Sequence, residues 1–131
     1  MLVLACGCFD PLHPGHVAHL KEARSLGDQM IVALTTDNCF NKGPHRPFLT
    51  WAERESMLSE LRCVDWVVPS RHAADSIIEV RPNIFVKGED WKDRLPEKTI
   101  AACRHVGCNI VFTTTPRFGT EEMIRRLMRG R

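Results

Sequence analysis

The residues best suited to chemistry are two histidines, His13 and His16, three positions apart in the stretch GCFDPLHPGH, Gly7–His16. A short apolar run leads into this stretch and an amphipathic one leaves it, so the sequence predicts strand, turn and helix, with His16 starting the helix. Free backbone N–H groups and the helix dipole favour a negative ligand at such a point. His13, in the turn, can face the same pocket, and Gly15 lets a phosphate approach the backbone closely. Two imidazole donors around one anion form a phosphate-stabilising arrangement.

Apolar runs bounded by turn residues alternate along the chain with longer amphipathic stretches, the sign of βαβ units and a parallel sheet. Strands are expected near Leu2–Cys6, Met30–Thr35, Asp65–Val68, Ile84–Lys87 and Asn109–Thr113. Helices are expected near His16–Leu26, Thr50–Leu61, Ala73–Val80, Glu97–His105 and Glu121–Met128. Thr50 and Glu53 make a capping box, and Thr120 is a plausible N-cap. The fold class is therefore α/β, a three-layer α/β/α arrangement around a five-stranded parallel sheet, in a single domain over residues 1–131. Right-handed crossovers put the strand carboxyl ends on one edge, where ligands bind beside the switch point in strand order. That edge should gather Gly7–His16, Thr36–Pro47, Gly88–Lys92 and Thr114–Thr120. Thr36–Pro47 is the longest connection and the best lid.

The chain has 131 residues, 18 basic against 16 acidic, for a net charge of +2. No run of like charge reads as a nucleic-acid or membrane patch, so a small anionic ligand fits better than a polyanion. The six cysteines lack the usual CxxC zinc spacing, and no metal site is expected from them. MLVLACG has neither a basic n-region nor a full h-region, so the cysteines are read as reduced and the chain as cytoplasmic.

GCFDPLHPGHVAHLKEARSLGD resembles the signature of the cytidylyltransferase-like nucleotidyltransferases, whose GxFDxLHxGH turn follows the first strand of a Rossmann-like domain. TTD, KGPHRP, AER, VDWVV and VKGEDW occur in that family's order. HxGH also resembles the class I aminoacyl-tRNA synthetase signature, but those enzymes carry a lysine-rich second signature that is missing here.

The resemblance implies that His13 and His16 contact the phosphates of ATP or CTP and stabilise the transition state. Phe9 and Asp10 shape the turn, Cys8 offers its backbone N–H, and Gly7, Cys8, Phe9, Asp10 and Gly15 are expected among the nucleotide-binding residues. Lys42 resembles the loop lysine that reaches the triphosphate. Arg46 and Arg54 stand where an acceptor phosphate can be met, although Arg54 can equally cover a helix surface. Gly88, Asp90 and Trp91 match the segment that lines the nucleobase pocket. Relatives carry a Ser-Thr-Thr run at the start of the last helix, where this chain has Gly119, Thr120 and Glu121. Thr120 survives, and Arg117 can replace the missing contacts. Glu121 either caps the helix from outside or opposes a bound triphosphate.

A nucleotidyltransferase is therefore expected, joining ATP or CTP to a phosphorylated sugar or polyol with release of pyrophosphate. Mg2+ would screen the phosphates, and a homodimer is expected. KGPHRP, VDWVV and VKG look like the adenylyltransferase domain of ADP-heptose synthase, while the chain length, Arg62 and EDW look like glycerol-3-phosphate cytidylyltransferase. A nucleotide-binding module that has lost catalysis is the alternative from another class.

Overall fold

The computed structural model describes residues 1–115 and 119–130. LVLACG, QMIVALT and IFVKG are nearly continuous apolar runs, the pattern of strands covered on both faces. They become β1 (Leu2–Gly7), β2 (Gln29–Thr35) and β4 (Ile84–Gly88), flanked by β3 (Trp66–Ser70) and β5 (Asn109–Thr113). The order across the sheet is β3-β2-β1-β4-β5, and each neighbouring pair is parallel. Chain order reverses between β1 and β4, which opens the ligand crevice at their carboxyl ends.

The helices are α1 (Pro14–Arg24), α2 (Trp51–Leu58), α3 (Ala73–Val80), α4 (Glu97–Val106) and α5 (Thr120–Arg129). Alternate strand residues feed two cores. Val3, Ala5, Met30, Val32 and Val86 pack with Leu20 and Ala23 of α1 and Leu58 of α2. Leu4, Ala33 and Phe85 pack on the other face with Ile77 of α3 and Ala102 and Cys103 of α4. The expected three layers follow, while α5 holds no fully buried residue.

Several boundaries differ from the sequence expectation. Helix α1 begins at Pro14, not His16, because proline is pre-set for the first helical position and its missing N–H would have had no partner there. Helix α2 stops at Leu58, not Leu61, because the backbone tightens into three-residue turns from Met57 to Glu60 and Leu58 to Leu61. Strand β3 runs on through Pro69, which the edge of the sheet tolerates. Thr120 is the first residue of α5 rather than its cap; Gly119 is the N-cap and makes no side-chain bond. The capping box of Thr50 and Glu53 forms, at 2.9 and 3.2 Å. Among the described residues no helix is long and apolar enough to cross a membrane.

Candidate active site

The turn after β1 is built around Phe9, whose φ of 47° turns the chain sharply and tucks the ring inside. The ring meets His16 edge-on at 5.0 Å. A Cβ on Gly7 would come within 2.9 Å of the same ring, so glycine is required there by the close approach of Phe9. Gly7 and Phe9 thus shape the turn from within.

His13 is the N-cap of α1 and His16 is its third residue. The His16 backbone N–H donates to Nδ1 of His13, and the His13 N–H donates to Nδ1 of His16, both at 3.3 Å. This is a capping box made of two imidazoles. Its consequence is chemical: each Nδ1 accepts, so each neutral ring carries its proton on Nε2. The rings stack 3.6 Å apart at 18°. Burial lowers both pKa values, and His16 falls to about 3, with His13, His19 and Lys42 adding to the effect of burial. Near neutral pH the pair is two uncharged donors, and Gly15 lies in the helical turn between them.

Asp10 is buried and contacts protein. Its carboxylate accepts from the backbone N–H of Phe48 at 2.7 Å, the N–H of Leu49 at 2.9 Å and Nε of Arg46 at 3.0 Å. Arg46 also reaches the Asp10 carbonyl at 2.9 Å and lies 4.3 Å over the Phe48 ring. Asp10 therefore anchors the loop after β2. Arg46 keeps both N–H groups of Nη1 and one of Nη2 for an acceptor.

Arg54 departs further from expectation. Its side chain is fully buried and donates to the carbonyls of Leu49, Cys8 and Thr35 at 2.9–3.0 Å and to Asp37 at 2.6 Å. It does not cover the helix surface, since it is fully buried. It ties the ends of β1 and β2 to the loop and to α2, since a guanidinium fork can satisfy several carbonyls at once. Lys42 stays exposed on the loop between these anchors, near enough to act on His16.

On the other side of the crevice, Gly88 ends β4, and Asp90 and Trp91 lie in the short 3-10 turn Glu89–Trp91. A Cβ on Gly88 would meet the Asp90 carboxylate at 2.7 Å, so the Asp90 side chain lies against this glycine. Trp91 is partly exposed, and Nζ of Lys87 lies 4.5 Å over its ring. Glu121 is exposed, whereas its neighbour Glu122 pairs with Arg125 and Arg126. Arg117 lies outside the described residues. Cys8 contributes its carbonyl to Arg54.

Two residues of the crevice escaped the sequence reading, His19 and Lys87. His19 stands three residues beyond His16, and that i, i+3 spacing on one helix face was the available signal. Lys87 was visible only as the middle of VKG.

A parallel α/β sheet with a phosphate-type histidine turn at its switch point defines a nucleotidyltransferase domain. The cytidylyltransferase-like family model matches residues 4–123, and the chain belongs to that family. It is 45% identical over 112 residues to the bifunctional protein HldE of Actinobacillus pleuropneumoniae, covering 82% of this chain and 23% of that protein. It is 41% identical over 127 residues to HldE of Nitrosococcus oceani, covering 94% of this chain and 27% of that protein. The chain thus spans about a quarter of the length of these relatives. The crystal structure of a lipopolysaccharide core biosynthesis protein from Thermoplasma volcanium superposes with a TM-score of 0.71 at 27% identity, over 91% of this chain and 98% of that one.

Proposed function

We propose that this domain transfers a nucleoside monophosphate from ATP to a phosphorylated sugar of the heptose-phosphate kind, with release of pyrophosphate. The observation that carries the reading is the reciprocal capping of His13 and His16, which fixes two Nε2–H donors at the switch point. Similarity to the HldE proteins, together with KGPHRP, VDWVV and VKG, supports a sugar phosphate over glycerol 3-phosphate as acceptor.

In this reading an acceptor phosphate oxygen attacks the α-phosphorus in line, the bond to the bridging oxygen breaks, and pyrophosphate leaves. Catalysis is positioning plus charge stabilisation. His13 and His16 donate to the phosphate oxygens without having to shed charge first, and Lys42 swings in from its loop. Among the described residues no group of three His, Cys, Asp or Glu side chains is placed to hold a metal ion, and the Asp10 carboxylate already accepts three hydrogen bonds from the protein. In this reading Mg2+ arrives with the phosphates of the nucleotide substrate.

Pyrophosphate release from ATP and from CTP, each with Mg2+, is measured against a panel of sugar and polyol phosphates. ATP with a sugar phosphate is the expected productive pair. CTP with glycerol 3-phosphate would install the other acceptor, and silence across the panel would leave a binding module.

A further inference from the structure

Lys87, next to last in β4, projects its amine into the crevice between β1 and the Glu89–Trp91 turn. Nζ donates to the Cys6 carbonyl at 3.4 Å and lies over the Trp91 ring at 4.5 Å. Among the described residues it forms no salt bridge. An ammonium has three donors, and one long bond to a carbonyl uses only one of them. Burial is the main influence on this amine and lowers its pKa; Cys6, Cys8 and Asp90 act the other way, and Lys42 adds to the lowering. A half-buried cation with so little return is a poor structural element, because desolvating charge costs more than these contacts give back.

Beside it lies His19. Its Nδ1 is 2.7 Å from Oγ1 of Thr113, a residue only 1% exposed. When the Thr113 hydroxyl donates in this pair, Nδ1 is the acceptor. The proton of His19 then sits on Nε2, as in His13 and His16. Lys87 and Asp90 both act electrostatically on His19, which places the three close together. Successive turns of α1 thus carry three imidazoles, the last of them next to a cation that is within reach of the Asp90 charge but makes no salt bridge among the described residues.

We propose that Lys87 and His19 form a second phosphate-binding subsite on the β4–β5 side of the His13–His16 pair, which takes a phosphoryl group of the substrate. This assignment rests on the nucleotidyl-transfer reading. The phosphoryl group belongs either to the nucleotide chain or to the acceptor.

A ligand-seeking lysine and a structural one respond oppositely to Lys87→Met. The methionine keeps the contact with Trp91 and removes an undercompensated charge, so the thermal midpoint should stay or rise. Affinity for the phosphate should drop roughly tenfold or more, the scale of one charge-assisted hydrogen bond. Lys87→Arg should recover most of it, and His19→Asn, which lacks a donor at the Nε2 position, should lose part of it.

Calorimetric titrations of the wild-type chain and these variants use Mg-ATP, pyrophosphate and inorganic phosphate. Weakened ATP and pyrophosphate binding assigns the subsite to the nucleotide chain. Weakened inorganic phosphate binding with ATP intact assigns it to the acceptor. Unchanged binding of all three by Lys87→Met, or loss of binding only together with a lower midpoint, overturns the proposal. If the wild-type chain binds none of the probes, the functional reading falls and the subsite with it.

Discussion

The Nδ1 atoms of His13 and His16 each accept the other residue's backbone N–H, so one pair of hydrogen bonds both starts α1 and fixes the tautomer of both rings. Helix capping and substrate binding are thereby divided between the two nitrogens of each imidazole. Conservative substitutions can separate the two jobs.

Glutamine at the third helical position can complete a capping box, and asparagine is a strong N-cap. His16→Gln and His13→Asn should therefore keep the thermal midpoint within a few degrees. Each removes a preorganised donor, so pyrophosphate release should fall by about 10²–10³. Paired melting curves and turnover assays check this; loss of fold in step with activity would instead make the pair purely structural.

The depressed pKa values also predict a sensitivity to acid. Below about pH 6.5 the unfolded chain protonates its histidines, while burial keeps His16 neutral in the folded state until about pH 3. The unfolded state then binds more protons, so stability falls with pH across that window. His16→Gln removes one such group, and its midpoint should decline less steeply than wild type between pH 6.5 and 4. Parallel slopes would show that the His16 ring is protonated in the folded protein too.

The two cations Arg54 and Lys42 should behave in opposite ways. Arg54→Met strips donors from three carbonyls and from Asp37, at a cost of about 3–5 kcal/mol and a midpoint lower by on the order of 10 °C. Lys42→Ala, on an exposed loop, should leave the midpoint alone and slow turnover. Denaturant midpoints and initial rates for both variants decide it, and a stable, fully folded Arg54→Met would refute the account of Arg54.

These contrasts mark what the sequence made legible. Sheet, layers and the histidine turn announced themselves through apolar runs and through proline and glycine spacing. Pro69 concealed the length of β3, because proline forbids a central strand but not an edge one, and strand order is not written locally. Arg54 was misread for a similar reason: its partners are backbone carbonyls, 46 residues away at Cys8 and 19 at Thr35, and carbonyls leave no trace in residue type. Lys87 and His19 were missed because neither completes a local motif; only the closing of β1 against β4 and α1 against β5 brings them together.

Asp10, buried beneath the loop after β2, holds the end of the segment that carries Lys42. The loop after β2 is anchored twice, near its start by Asp37 on Arg54 and at its end by Phe48, Leu49 and Arg46 on Asp10, and the exposed span with Lys42 lies between. Asp10→Asn removes the charge that pairs with Arg46 and replaces one accepting oxygen by a donor, which must face either Arg46 or a backbone N–H. One anchor bond is lost and another turns repulsive. The amides of Phe48 and Leu49 should then exchange faster with solvent, since protection follows the stability of local closure. Turnover should fall as well, because a loop lysine delivered from a loose anchor spends less time in place. Hydrogen exchange resolved to the 46–49 segment, read beside kcat, tests the link. Faster exchange with an unchanged kcat would mean that Lys42 works without the anchor, and unchanged exchange would mean that Arg46 and the two amides hold the loop without the Asp10 charge.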